Sequence, residues 1–243
     1  MNEIYVPEII YEDSAVIVCR KPAGLATQTA RVGQKDLVSM MMNHVAGGKT
    51  APYLGLINRL DQPVSGLVLL AKDPGSAAVL SAEQKSHDMV KEYQAAALGQ
   101  LEVRNGYMSD YIITDSRTNT SSVTDEKTEG AKKAVLEFSI VRTGTVKEAA
   151  ERLGTGAAVP ESLAEHRISY ITVRLITGRH HQIRLQMSHA GLPLLGDNKY
   201  GSEDSRAVSS CLGIKGLMLC ACRLSFTHPS THKAMEFTIK SNI

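Results

Sequence analysis

Three short segments of the chain carry side chains whose types and spacing could do chemistry. The first is Asn58-Arg59-Leu60-Asp61-Gln62-Pro63-Val64-Ser65-Gly66, which feeds the apolar run Leu67-Val68-Leu69-Leu70-Ala71. Charged groups beside a buried strand need either a satisfied environment or a function. Two readings stand: Arg59 and Asp61 form a structural ion pair, or the loop presents Asp61 to a cleft as a nucleophile or base. The second segment is Lys91-Glu92-Tyr93-Gln94-Ala95. On a strand, Lys91 and Tyr93 share one face and Glu92 and Gln94 the other. The third runs Thr177-Gly178-Arg179-His180-His181-Gln182-Ile183-Arg184-Leu185-Gln186-Met187-Ser188-His189. A Thr-Gly turn opening a helix dense in donors suits an anion such as a backbone phosphate. At helical spacing His181 shares a face with Leu185, and His180 with Arg184. A metal site is not expected, because His181 and His189 are eight apart and no acidic ligand sits at matching spacing.

Composition limits what these segments can serve. The chain has 243 residues, 43% of them hydrophobic and 21% charged, enough to bury a sizeable core. No apolar stretch approaches the roughly 18 residues a membrane span needs. The start, Met1-Asn2-Glu3-Ile4-Tyr5, lacks the basic and apolar regions of a secretory signal, which points to the cytoplasm. Four cysteines without a C-x-x-C pair read as buried reduced thiols rather than zinc ligands, with Cys220 and Cys222 on one face of a strand. Net charge is only +2, but Arg167 to Lys240 holds ten Lys/Arg against four Asp/Glu, so the first 166 residues carry a net −4. A basic C-terminal part suits a polyanionic partner.

The elements that must position the three segments can be read from periodicity. Ile9-Ile10-Tyr11, the turn Glu12-Asp13-Ser14 and Ala15 to Cys19 read as β structure, ended by Lys21-Pro22-Ala23-Gly24. Asp36 caps a helix carrying Leu37, Val38, Met41, Met42 and Val45 on one face, stopped by Gly47-Gly48. Leu67 to Ala71 reads as a strand buried on both faces, Ser76 to Ser86 as a helix and Val90 to Leu98 as a strand. Residues 115–133 are polar and read as an exposed loop or hairpin. Strands follow at Ala134 to Val141 and Ile168 to Ile176, separated by a short helix, Val146 to Leu153, and a flexible Gly154-Thr155-Gly156. A helix spans Arg179 to Ala190, and strands close the chain at Leu217 to Ser225 and Ala234 to Ile239. There is no internal repeat and no evident domain boundary, so one α+β domain covering 1–243 is expected.

Taken together, the motifs resemble the RluA-type pseudouridine synthases. Those enzymes carry His-Arg-Leu-Asp-x-x-Thr-Ser-Gly-Leu, an apolar run and Ala-Lys; here stand Asn58-Arg59-Leu60-Asp61, Ser65-Gly66-Leu67 and Ala71-Lys72. Their Thr-Gly-Arg-x-His-Gln-Ile-Arg motif is intact from Thr177 to Arg184, followed by Gly191-x-Pro193 and Gly196-Asp197-x-x-Tyr200-Gly201. Lys21-Pro22-Ala23-Gly24 and Lys91-x-Tyr93 match in order and spacing, so the likeness runs from about Ile9 to Phe237. Asn58 replaces the usual His and Val64 the usual Thr. Asn keeps a donor and an acceptor but does not titrate near neutral pH.

The resemblance implies a mixed, largely antiparallel central sheet flanked by helices, and an isomerase that converts uridine to pseudouridine in ribosomal or transfer RNA. It implies Asp61 as the essential carboxylate, Tyr93 as the active-site aromatic and Arg184 as the basic partner of Asp61. The carboxylate would attack ribose C1′ or remove the C2′ proton; both routes stay open. Arg59, Lys91, Arg179, His181 and Gln182 are candidates for RNA contact or for supporting the site. No cofactor, metal or membrane is expected, nor an extra N-terminal RNA-binding module, and the chain is expected to act as a monomer. Two rival expectations are an inactive RNA-binding relative and a nucleoside or glycoside hydrolase, which would pair two carboxyl groups.

Overall fold

A computed structural model describes residues 7–29, 33–47, 52–154 and 159–243. The elements in chain order are β1 (Glu8–Glu12), β2 (Val16–Lys21), α1 (Leu37–Ala46), β3 (Gly55–Leu56), β4 (Ser65–Ala71), α2 (Pro74–Ser86) and β5 (Val90–Leu98). They continue with β6 (Asn105–Asp115), β7 (Thr120–Thr124), β8 (Lys132–Thr145), α3 (Val146–Leu153), α4 (Glu161–Ala164), β9 (Arg167–Leu175), α5 (Gln182–His189), α6 (Glu203–Cys211), β10 (Leu219–Thr227) and β11 (Ala234–Thr238). No described helix is long and apolar enough to cross a membrane. The chain forms two compact units, residues 1–91 with 220–241 and residues 92–219 with 242–243.

In the first unit β1, β2, β4, β10 and β11 lie side by side, and β3 adds to β4. The β4–β10 pair is parallel and the others are antiparallel. β4 is apolar throughout because it is central: Leu67 to Ala71 are each at most 1% exposed. Gly66 marks where β4 meets β10. Its φ is +133°, and a Cβ there would run into the backbone N and O of Ala221. Asp36 caps α1 with a reciprocal Ser39 bond, and left-handed Gly47 ends it. Gly48 lies outside the described residues.

In the second unit β5 (from Glu92 onward), β9, β8, β6 and β7 are antiparallel neighbours. The mixed, largely antiparallel α+β class is therefore found. β5 runs over Val90–Leu98 as its alternation predicts, with Lys91 and Tyr93 buried and Glu92 and Gln94 half-buried. The polar 115–133 stretch contains a hairpin: β6 ends at Asp115, Asn119 turns in the left-handed region and β7 follows. β6 itself is not evident from sequence, since Ile112 is its one buried residue. The Thr145 to His166 connection has a structural task. α3, capped by Thr145 and Glu148, buries Val146, Ala149 and Ala150 against Ala96, Leu98, Ile168 and Val208. Thr155 and Gly156 lie outside the described residues.

Three helices differ from expectation, among them α4, a single turn over Glu161–Ala164 that no sequence signal marked. α5 starts at Gln182, not Arg179, because His181 sits at φ 54° in the left-handed region and breaks the helical path. α6 escapes sequence reading because its residues are mostly polar; Ser202 caps it and only Ser205, Val208 and Ser209 are buried.

Candidate active site

Asp61 lies in the first unit, on the loop between β3 and β4, and is half-buried. Its carbonyl accepts from Val64 N at 3.0 Å, which closes a four-residue turn. Three side chains hold this loop through its backbone. Asn58, 5% exposed, donates to Leu67 O at 3.1 Å and accepts from Leu69 N at 2.7 Å. β3 stops at Leu56, so the Asn58 amide continues the ladder along β4 where the strand gives out. Both functions of the amide are thus used. Thr27 Oγ1 donates to Leu60 O at 2.7 Å and accepts from Leu60 N at 3.2 Å.

The third brace is Lys21, whose side chain is fully buried. Its ammonium donates to Leu25 O at 2.6 Å, Pro22 O at 3.1 Å and Gln62 O at 3.1 Å, tying the Lys-Pro-Ala-Gly turn to the residue after Asp61. Burial pulls its pKa down to about 8, and the charge of Asp61 opposes that shift. The sequence assigns Lys21 no chemical part: its motif ends a strand and matches the family in order and spacing. Arg59 is exposed and forms no ion pair among the described residues, so the structural Arg59–Asp61 bridge is not what holds the loop. Lys91, in the same unit, is 8% exposed, and burial lowers its pKa.

The second unit holds the other candidates. Tyr93 is 6% exposed on β5, opposite Val173 of β9. Arg184 is 5% exposed on α5, and Asp197 grips its guanidinium through two bonds of 2.8 Å, Nε to Oδ2 and Nη2 to Oδ1. Burial pushes the Asp197 carboxyl up, but Arg184 and the backbone N–H groups of Tyr200 and Lys199 outweigh it and leave its pKa below normal. Tyr200 lies 5.1 Å from the Arg184 guanidinium carbon, measured to its ring centroid. Its hydroxyl accepts from Ser121 N at 2.8 Å and bonds His181 Nδ1 at 2.8 Å. His181 stacks on His180, ring centroids 3.6 Å apart. His180 in turn contacts Ser121 Oγ at 2.9 Å and Asn119 Oδ1 at 3.1 Å, which docks the β6–β7 hairpin onto the Thr-Gly-Arg turn.

Gln182 and Arg179 support the same turn. Gln182 donates to Val135 O and Gln186 Oε1, and accepts from Thr177 Oγ1 and Arg179 N. All its amide groups are therefore engaged internally, which makes it a brace between α5 and β8. Arg179 is exposed and bonds Lys133 O at 2.9 Å. Asp197 and Tyr200 were visible in the sequence only as parts of a motif. Nothing in their spacing from Arg184 indicated that they hold it.

Comparison with known proteins adds the family. A family model described as RNA pseudouridylate synthase matches residues 15–189. The chain is 27% identical over 234 residues to tRNA pseudouridine synthase C of Yersinia pestis, covering 96% of this chain and 86% of that protein. It is 32% identical over 196 residues to ribosomal large subunit pseudouridine synthase D of Pseudomonas aeruginosa, covering 80% of this chain but 53% of that one. The solved structure of human RNA pseudouridylate synthase domain containing 1 superposes with a TM-score of 0.72 at 18% identity, covering 99% of this chain and 86% of that one, which establishes a shared fold. The chain therefore belongs to the RNA pseudouridylate synthase family, as a member of its RluA-type branch.

Proposed function

We propose that this RNA pseudouridine synthase acts on structured ribosomal or transfer RNA, as a single cytoplasmic catalytic domain and a monomer, with Asp61 as its reactive carboxylate. The observation that carries the reading is the Asp61 turn itself, a half-buried carboxylate on a loop whose backbone is fixed by Lys21, Thr27 and Asn58. Such bracing fixes the backbone that carries a charged group, as catalysis by positioning requires. The named relatives act on tRNA or on the large ribosomal subunit, which supports both substrate classes.

The chemistry is an isomerisation. The ribose C1′–N1 bond breaks, the uracil turns, and C1′ joins C5; the C5 proton leaves to water and N1 regains one. Asp61 attacks C1′ or removes the C2′ proton. Arg184 is its basic partner, positioning the carboxylate as much as tuning it. The target base must leave its stack, at a cost of a few kcal/mol. Tyr93 stacks on it and assists removal of the C5 proton. Lys91, Arg59, Arg179 and His181 contact RNA or support the site, and Gln182 supports it.

RNA carrying tritium at uridine C5 tests this directly. The native protein releases tritium, and Asp61→Ala loses about three orders of magnitude or more of that rate. No release from any cellular RNA overturns the reading, and free uracil in place of pseudouridine points to a hydrolase.

A further inference from the structure

Tyr170, half-buried on β9, carries two guanidinium groups that nothing in the isomerisation accounts for. Arg142 of β8 lies over its ring, the guanidinium carbon 3.8 Å from the ring centroid. Arg152, in the last turn of α3, holds its guanidinium carbon 4.8 Å from the same centroid. Its Nη2 also donates to the Tyr170 hydroxyl at 2.7 Å. The backbone arranges this meeting. A bulge in β8 falls between Ile140, paired with Ile171, and Arg142, paired with Tyr170. Val141 is the residue passed over, and it stays 63% exposed. The bulge therefore sets a cation, not an apolar side chain, opposite the tyrosine.

Packing explains one stacked arginine better than two. α3 is already anchored by Val146, Ala149 and Ala150, which are buried without help from Arg152. A second cation beside the first adds like-charge repulsion, which an anion between them would turn into attraction. The protein does not supply that anion. Among the described residues neither arginine forms an ion pair, although Glu148 and Glu151 precede Arg152 on α3. Glu148 is spent on the helix cap, accepting from Thr145 N at 2.7 Å. The Arg142 guanidinium hydrogen-bonds no described residue, so all five of its N–H donors face solvent.

We propose that Arg142 and Arg152, held on Tyr170, form a docking site for the phosphate backbone of the substrate RNA. Guanidinium forks match phosphate oxygens two at a time, and the shared ring fixes where both forks stand before RNA arrives. RNA is favoured over an acidic protein because the family's reaction brings this polyanion to the chain at every turnover. The proposal rests on the reading of the chain as acting on structured RNA, and tritium release by the native protein checks that reading separately.

The test compares the full chain with two double variants. Arg142→Gln/Arg152→Gln removes the pair, and Lys85→Gln/Lys215→Gln removes two exposed charges elsewhere. Tritium release from cellular RNA labelled at uridine C5 gives kcat and KM from about 50 to 200 mM salt. For the arginine variant KM should rise about tenfold at the middle of this range, with kcat within about twofold. Its log KM should also climb with log salt less steeply, by about 0.7 to 0.9 for each lost phosphate contact. The lysine variant should follow the native protein on both measures. Equal shifts in the two variants overturn the proposal, since net charge alone then matters. So does an unchanged KM, the result expected if the pair faces an acidic protein or only packs α3. Should the double arginine variant fail to fold, Arg142→Gln, which loses no side-chain hydrogen bond, carries the same test with half the change in slope.

Discussion

The Asp61 loop and the Arg184 cluster are held by opposite means. Around Asp61 the bracing side chains reach main-chain atoms: Lys21 takes three carbonyls, Thr27 grips Leu60 from both sides, and Asn58 extends the β4 ladder. Around Arg184 side chains mostly hold side chains, from Asp197 to Arg184, and from Tyr200 through His181 and His180 to Ser121 and Asn119. The first arrangement fixes the shape of the loop that carries the Asp61 carboxylate. The second fixes the direction of donors. Damage to the first should therefore appear mainly as lost stability, and damage to the second mainly as lost rate.

The largest stability effect is expected at Lys21. Lys21→Met leaves the Leu25 and Pro22 carbonyls without this donor and should cost about 2–3 kcal/mol near neutral pH. The effect has a pH signature. The folded pKa of about 8 lies below the ordinary 10.5, so between these values the unfolded chain binds more protons and the Lys21 contribution to stability rises with pH. The advantage of the native protein over Lys21→Met should thus grow across pH 8 to 10.5, by roughly 3 kcal/mol at most. Asp61→Asn removes the charge that holds this pKa up, so the rise should begin at lower pH. Urea unfolding of the three proteins against pH reads this out; superimposable pH profiles would refute it.

Asn58 comes next and bears on what the sequence discloses. Asn58→Ala strands Leu67 O and Leu69 N on a buried strand, and should cost about 2 kcal/mol in urea melts. Asn58→Asp, which turns a buried carboxylate oxygen on the Leu67 carbonyl, should cost at least as much. Equal stability of all three would show that the amide does not brace β4.

Elements with strong apolar periodicity, such as β5 and α3, were legible in the sequence because their patterns match the faces they bury. The ordered motifs made the candidate residues legible as a set. β6 and α6 were not, since few of their residues are buried and polar positions carry no period. Nor were the roles of Lys21 and Asp197. A lysine at a strand end reads as solvated, and its burial follows from carbonyls contributed by distant residues such as Gln62. Asp197 reaches Arg184 across thirteen positions through a turn that spacing does not reveal. Gln182, a candidate for RNA contact or for supporting the site, has every donor and acceptor engaged by its neighbours, which spacing did not reveal.

The smallest effect isolates the hairpin. Tyr200→Phe keeps the ring by Arg184 and the backbone N–H that Asp197 accepts, and removes only the hydroxyl shared by Ser121 N and His181 Nδ1. The β6–β7 hairpin keeps its contacts through His180 and Lys199, so stability should fall by only about 1 kcal/mol. The rate should fall severalfold, because His181 loses the partner that sets its ring orientation. Thermal melts and tritium release measured on one preparation separate these effects. A large loss of stability with an unchanged rate would place the network with the Asp61 braces, as a device for holding shape, and erase the distinction between the two regions.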